Sequence, residues 1–445
     1  MQISLFLFII GLLLVFAGRF VFRQWTNPLS LYIVPWTVVL AMYHLKFMVY
    51  DDLCSEAWAV IIVSLISFIL GVVLVFPMKE LNIKTERSST SMIFFGFTDN
   101  QFKFLIFCFG FLGLIGSLQH WSVLLKMFGG IQEVLLSANI IYSMRVQGSL
   151  PEVLPYLSFF SYAGILLVGA RIAFRGKFGW LDTLPMISLL LKEMANFGRE
   201  GLLQGFSELF IGFIICRTIL RYQKIKSQKI NVKNFLLSFL LLATLLVGSS
   251  TAVRFFRGTT ENFKQSSREL GLMKSNIILT PSIYLYASGH VGVLSKYLYL
   301  NNENASFGEN TFLPIYHLLT KFQVVDKSGF YQKPYYIPIW INTGTYLREV
   351  HADFGSLGVL LVPFLLGFFS TYYWFKIQHN GSAYQFVILA GLLNICVMSF
   401  LMMITRGANF ALSHILLLIS FWLLRILPKI TNHIKSKLIN GQIVD

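Results

Sequence analysis

Runs of roughly twenty apolar residues recur along this chain, and they restrict its fold more than any other feature. About 20 such residues, wound into a helix, cross the ~30 Å hydrocarbon core of a bilayer with every backbone hydrogen bond made internally. Cores at residues 3–22, 29–47, 57–76, 104–118, 154–174, 180–194, 202–219, 234–250, 355–375, 384–404 and 410–427 meet or approach that length, the fourth and sixth being short. Charged side chains are only 13% of the 445 residues, where a soluble domain carries about 25%. The expected fold class is an all-α polytopic membrane protein with about eleven transmembrane helices.

Basic residues flanking these runs set the expected orientation, because Lys and Arg near helix ends stay on the cytoplasmic side. Alternate loops divide unevenly. One set holds twenty, among them Arg23, Lys103, Arg171, Arg221 and Lys376; the other, its long loop aside, holds Lys46, Lys126, Arg145, Lys192, Arg199 and Arg406. An outer N-terminus and a cytoplasmic C-terminus follow. Residues 251–353 then form a large extracytoplasmic loop between an N-terminal bundle (1–250, helices one to eight) and a C-terminal part (354–445, helices nine to eleven and a basic tail). A loop of that length in a helical protein is usually a functional element. In a second outer stretch, 121–151, Ile131, Val134, Leu135, Ala138 and Tyr142 recur at helical spacing, as expected of a helix lying in the interface.

The net charge of +16 lies in loops between apolar runs, which points to anionic lipid headgroups and away from nucleic acid. Four scattered cysteines, Cys54, Cys108, Cys216 and Cys396, imply neither a disulfide framework nor a metal knuckle. The first 22 residues lack a basic leader and an obvious cleavage site, so they read as a spanning helix. His290 and His317 lack zinc-ligand spacing, and no phosphate loop is present. Asp51 and Asp52 could hold a divalent cation, but without a third ligand a solvated loop is the favoured reading.

Arginines on the outer side oppose the positive-inside tendency: Arg145, Arg199, Arg254, Arg257, Arg268, Arg348 and Arg406. A guanidinium is charged at any physiological pH and its planar fork matches phosphoryl oxygens. Singly, each also fits a snorkelling side chain at a helix end; together they suggest an anion site. Arg199 sits between two apolar runs with little loop to solvate it, and Glu200 beside it is a ready partner. A second polar cluster contains Tyr346, Arg348, Glu349, His351 and Asp353 and leads into the ninth helix. Glu349 and Asp353, four apart and like-charged, or His351 alone, could supply a general base. Asp353 also fits an ordinary helix N-cap.

Three stretches carry a family resemblance: NFGREGLL at 196–203, FGENTFLPI at 307–315 and NTGTYLREVHADFGSLGVLLVPFLLG at 342–367. With the helix count and the position of the long loop, they make the chain resemble the bacterial oligosaccharide repeat unit polymerases, the Wzy-type O-antigen and capsule polymerases of the GT-C superfamily. The resemblance implies a GT-C-like fold with a large, mainly helical periplasmic loop in the bacterial inner membrane. It implies a lipopolysaccharide-type glycosyltransferase whose donor and acceptor are both undecaprenyl-diphosphate-linked glycans. No metal or other cofactor is expected, and a polysaccharide chain-length regulator is an implied partner besides membrane lipids. Carried over by motif, Arg199 and Asp353 match best. Arg254, Arg257, Arg348 and Arg145 are further diphosphate candidates and His351 a second candidate base. Glu200, Glu349, Tyr346 and Arg406 are secondary candidates for the acceptor side. An O-antigen ligase, or a transporter of the lipid-linked unit, are the rival readings; inverted repeats and midplane charges, which a transporter commonly has, do not stand out.

Overall fold

The computed structural model describes residues 2–77, 95–147, 149–150, 157–198, 200–223, 281–300, 305–326, 332–337, 339–379 and 381–441. The expected core at 234–250 lies outside the described residues; every other expected core falls on a helix. These are α1 (Gln2–Phe22), α2 (Pro28–Leu45), α3 (Ser55–Val75), α4 (Asp99–Phe128), α7 (Ser158–Arg175), α8 (Thr183–Ala195), α9 (Glu200–Tyr222), α12 (Tyr346–His379), α13 (Ala383–Met398) and α14 (Ala408–Gly441). Eight of them are long and apolar enough to cross a membrane; α8 and α13 are shorter. The large exposed side chains of α1, such as Leu5, Phe6 and Phe20, fit a lipid-facing surface and not water.

Helix starts follow local chemistry. Thr98 and Gln101 form a capping box before α4, and Ser382 and Gln385 form one before α13, each pair satisfying two otherwise orphaned N–H groups. Asn27 caps α2 by accepting from Ser30 N at 2.9 Å, with Pro28 at the first helical position.

Two helix pairs approach until backbone meets backbone. A side chain added at Gly71 of α3 would strike the carbonyl of Phe364 on α12, and one at Gly367 of α12 would strike that of Phe68. Gly169 of α7 and Gly212 of α9 face the Leu209 and Leu166 carbonyls in the same reciprocal way. Apolar side chains gain little from meeting one another in lipid, so close van der Waals contact at small residues supplies the attraction.

Contacts between helix termini define two ends. At one, Arg171 lies buried between Asp182 (2.5 Å) and Asp99 (3.0 Å), and Arg175 and Lys103 join Asp99; this is the basic end. The other carries the described part of the long loop, which is mainly helical: α10 (Pro281–Leu300), α11 (Leu313–Lys321) and a short hairpin of β1 (Tyr335–Tyr336) and β2 (Trp340–Ile341). α10 is fastened across the ends of α2 and α3, with Tyr284 donating to the Met42 carbonyl, Ser288 bonded to Tyr50 at 2.9 Å and Ser295 accepting from Cys54 N at 2.9 Å.

Three expectations change in detail. The ninth helix starts at Tyr346, nine residues before the expected core at 355, and breaks at Gly355 (φ 60°, ψ −153°) into two segments. The polar cluster is therefore helical, because Gly355 allows the chain to turn from it into the apolar run. The expected interfacial helix is two short ones, α5 (Ile131–Leu136) and α6 (Ala138–Gln147). Asp51 and Asp52 do not form a shared cation site: Asp51 pairs with Lys296 at 2.7 Å and Asp52 with Lys46 at 2.5 Å.

Candidate functional site

The turn from α8 to α9, residues 196–201, is built around its glycines. Phe197 takes a left-handed conformation (φ 47°) and is nearly fully buried against Leu124, Val134, Ala138 and Ile141, so α5 and α6 are packed onto the turn. Such a backbone is uncommon for a bulky residue and clusters at functional sites. A side chain at Gly198 would come within 2.9 Å of both Arg145 and Glu193, and one at Gly201 would overlap the Glu193 carboxylate and the Tyr162 hydroxyl. Glu193 therefore occupies the space that the glycines vacate. It accepts from Gly201 N–H at the start of α9 and pairs with Lys192 at 2.8 Å.

Glu200, the first residue of α9, lies within electrostatic range of Arg145, Lys192 and Glu193, and also of Arg406. Arg406 ends a single 3-10 turn, Ile404–Arg406, between α13 and α14. Arg406 thus lies near both the 196–201 turn and the polar cluster of α12. The Arg406 guanidinium lies 3.8 Å from the Glu349 carboxylate and donates to the Asn310 side-chain carbonyl. Glu349 also accepts from Met403 N at 2.6 Å.

Asn310 belongs to the loop 306–312, which contains Phe307, another left-handed residue before a glycine (φ 45°). Asp353 organises this loop. Its Oδ1 accepts from Ser306 Oγ at 2.6 Å, Asn310 N at 3.0 Å and Asn310 Nδ2 at 2.9 Å; its Oδ2 accepts from Thr311 N at 2.7 Å and Thr311 Oγ1 at 2.6 Å. Five donors occupy a group that offers about four lone-pair positions. The carboxylate holds the loop against the first segment of α12.

The other candidates separate. Tyr346 is fully buried, its hydroxyl 2.6 Å from Tyr32 and 3.3 Å from Ser64, inside the bundle. Arg348 is fully buried; it donates to the carbonyls of Lys333 (2.9 Å) and Asn342 (3.4 Å) and lies over the rings of Tyr335 and Tyr297. It braces the hairpin against α10 and α12. His351, half-buried, meets the Tyr297 hydroxyl at 3.0 Å through Nδ1. Arg199, Arg254 and Arg257 lie outside the described residues.

No family model, curated protein or solved structure matches the chain.

Two participants were not singled out in the sequence as site residues. Glu193, buried at the end of an apolar run, was legible as a carboxylate with too little loop to solvate it. Asn310, which bridges Arg406 and Asp353, carries no signal of its own. Together these residues gather Arg145, Arg406 and the carboxylates Glu193, Glu200 and Glu349 at one end of the bundle. Such an end can neutralise a polyanion beside a proton acceptor.

Proposed function

We propose that the chain is a glycosyltransferase that joins undecaprenyl-diphosphate-linked oligosaccharide units into an O-antigen or capsule-type polysaccharide at the periplasmic face of the bacterial inner membrane. The observation that carries the reading is the continuous polar chain from Asp353 through Asn310 and Arg406 to Glu349, within electrostatic range of Glu200 and Arg145, at the end opposite the basic end. Its orientation rests on the positive-inside tendency.

In this reading Arg145 and Arg406 face the donor diphosphate, with Arg199, Arg254 and Arg257 assigned to it by sequence. The bond between the anomeric carbon and the phosphate oxygen breaks, and the diphosphate leaves with its charge opposed by guanidinium groups. The acceptor hydroxyl forms the new bond to the anomeric carbon, and its proton passes to Glu200, the exposed carboxylate among the arginines, or to His351. Asp353 keeps the 306–312 loop, and with it Asn310 and Arg406, in position.

The test supplies purified protein with lipid-linked repeat units alone. A ladder of lengthening glycans is expected. A ligase or a transporter makes none from that substrate, so a single unextended unit would overturn the proposal. Arg199→Ala should abolish long polymer at unchanged protein level.

A further inference from the structure

Two turns below Glu200, α9 carries a second carboxylate that the proposed reaction leaves idle. Glu208 is fully buried, and its Oε2 accepts from Asn394 Nδ2 of α13 at 2.8 Å; Ser207 donates to the Asn394 carbonyl at 2.5 Å. Across from it on α14, His414 places Nε2 4.0 Å from Glu208 Oε2, roughly 1 Å longer than a hydrogen bond. Neither Glu208 Oε1 nor His414 Nε2 has a hydrogen-bond partner among the described residues.

The hydrogen count at this pair is decided by its surroundings. Ser413 Oγ donates to the Phe410 carbonyl at 2.8 Å, and His414 Nδ1 meets the same carbonyl at 2.9 Å. A carbonyl only accepts, so Nδ1 carries a hydrogen and, in a neutral ring, Nε2 presents a lone pair toward the carboxylate. A carboxylate facing a lone pair inside a membrane protein would be a buried, uncompensated negative charge with two acceptors opposed, a costly state. One proton between them makes the pair electroneutral on either partner. Facing side chains from the packed elements supply no other charge: α13 contributes neutral Asn394, and among the described residues no other ionised group acts on Glu208 or His414.

A route to the surface is built into α9. Glu200, Gln204 and Glu208 are four residues apart, so they line one face, about 6 Å between steps. Gln204 is buried, and its side-chain nitrogen has no hydrogen-bond partner among the described residues.

We propose that Glu208 and His414 form an intramembrane proton-binding site, which takes up one proton from water at the end marked by Glu200 by way of Gln204. Uptake changes the charge of the pair from minus one to zero and requires no other reactant. The inference stands whether or not the chain joins sugars.

The experiment uses the full-length protein in lipid nanodiscs. Infrared spectroscopy reads a carboxylic acid C=O stretch at Glu208, and nitrogen NMR of labelled histidine reads an imidazolium at His414. One of the two signals is expected at neutral pH; the infrared band should vanish in Glu208→Gln, and an imidazolium signal should be lost in His414→Gln. An ionised carboxylate opposite a neutral imidazole throughout the neutral range would overturn the site. Glu208→Gln supplies an N–H toward His414 and keeps the bond to Asn394, so its unfolding temperature should match the parent, which separates loss of the signal from loss of the fold. Gln204→Leu should slow hydrogen–deuterium exchange of the shared proton by about tenfold while leaving the signal present; an unchanged rate would overturn the route.

Discussion

Glu349 and Asp353, one turn apart on the first segment of α12, share no partner directly yet are linked by Arg406 and Asn310, the arginine lying 3.8 Å from Glu349 and donating to the asparagine that Asp353 holds. A helix turn, the 306–312 loop and the turn between α13 and α14 thus meet in one polar unit. The two carboxylates differ in role because their surroundings differ: five neutral donors occupy Asp353, and a cation and one backbone N–H face Glu349.

Asp353→Asn should loosen the loop more than it perturbs the helices. The amide turns an NH2 toward donors on one side, leaving buried N–H or O–H groups unpaired at about 1–3 kcal/mol. Hydrogen exchange of residues 306–312 should rise while that of α3 and α9 is unchanged. Full protection of the loop together with lost activity would instead mark Asp353 as the proton acceptor.

Arg406→Gln removes a buried cation whose partner Glu349 is also buried. Breaking such buried pairs by removing one partner costs about 3–5 kcal/mol, and the 3.8 Å separation puts this one at the lower end of that range or below it. The additional variant Glu349→Gln should recover part of the loss in a double-mutant cycle of thermal unfolding. Additive effects would show that the two do not interact.

At Gly212 and Gly367 even a methyl group meets a backbone carbonyl of the neighbouring helix. Backbone cannot yield as a side-chain tip does, so Gly212→Val should separate α7 from α9 and Gly367→Val should separate α3 from α12. Overpacking costs about 1–3 kcal/mol or more. Detergent-resistant folded yield, measured by size-exclusion chromatography, should fall sharply for both.

Gly355→Ala is a purely conformational test, since nothing lies within 4 Å of the added carbon. Its dihedral angles belong to a region open almost only to glycine, and occupying it costs other residues about 1–3 kcal/mol. The unfolding temperature should drop, and activity should drop with it if the break in α12 aims Glu349 at Arg406.

At the basic end, Asp182→Asn leaves buried Arg171 with one carboxylate in place of two and removes charge from the group that also accepts from Gly179 N at 2.7 Å. Stability should fall by about 3 kcal/mol, while the surviving folded fraction should keep its specific activity. A selective loss of activity would show that this end communicates with the other.

How much of this was readable beforehand depends on the range of the interaction involved. The apolar runs determined by themselves that the chain is a bundle of membrane-crossing helices, because the hydrocarbon core demands a fixed length of helix irrespective of neighbours. Residues 196–203 and 342–353 stood out for a similar reason: charge concentrated beside apolar runs has little solvent to turn to. What Asp353, Arg348 and Tyr346 do was not readable, since a carboxylate, a guanidinium and a phenol carry the same chemistry whether they face a ligand or a carbonyl. Only tertiary structure brought Asn310 to Asp353, Arg406 to Glu349 and His414 to Glu208, across separations of tens to hundreds of residues. Composition and periodicity act within a turn or a span, whereas hydrogen-bond partners are chosen by packing, and packing is settled where helices touch.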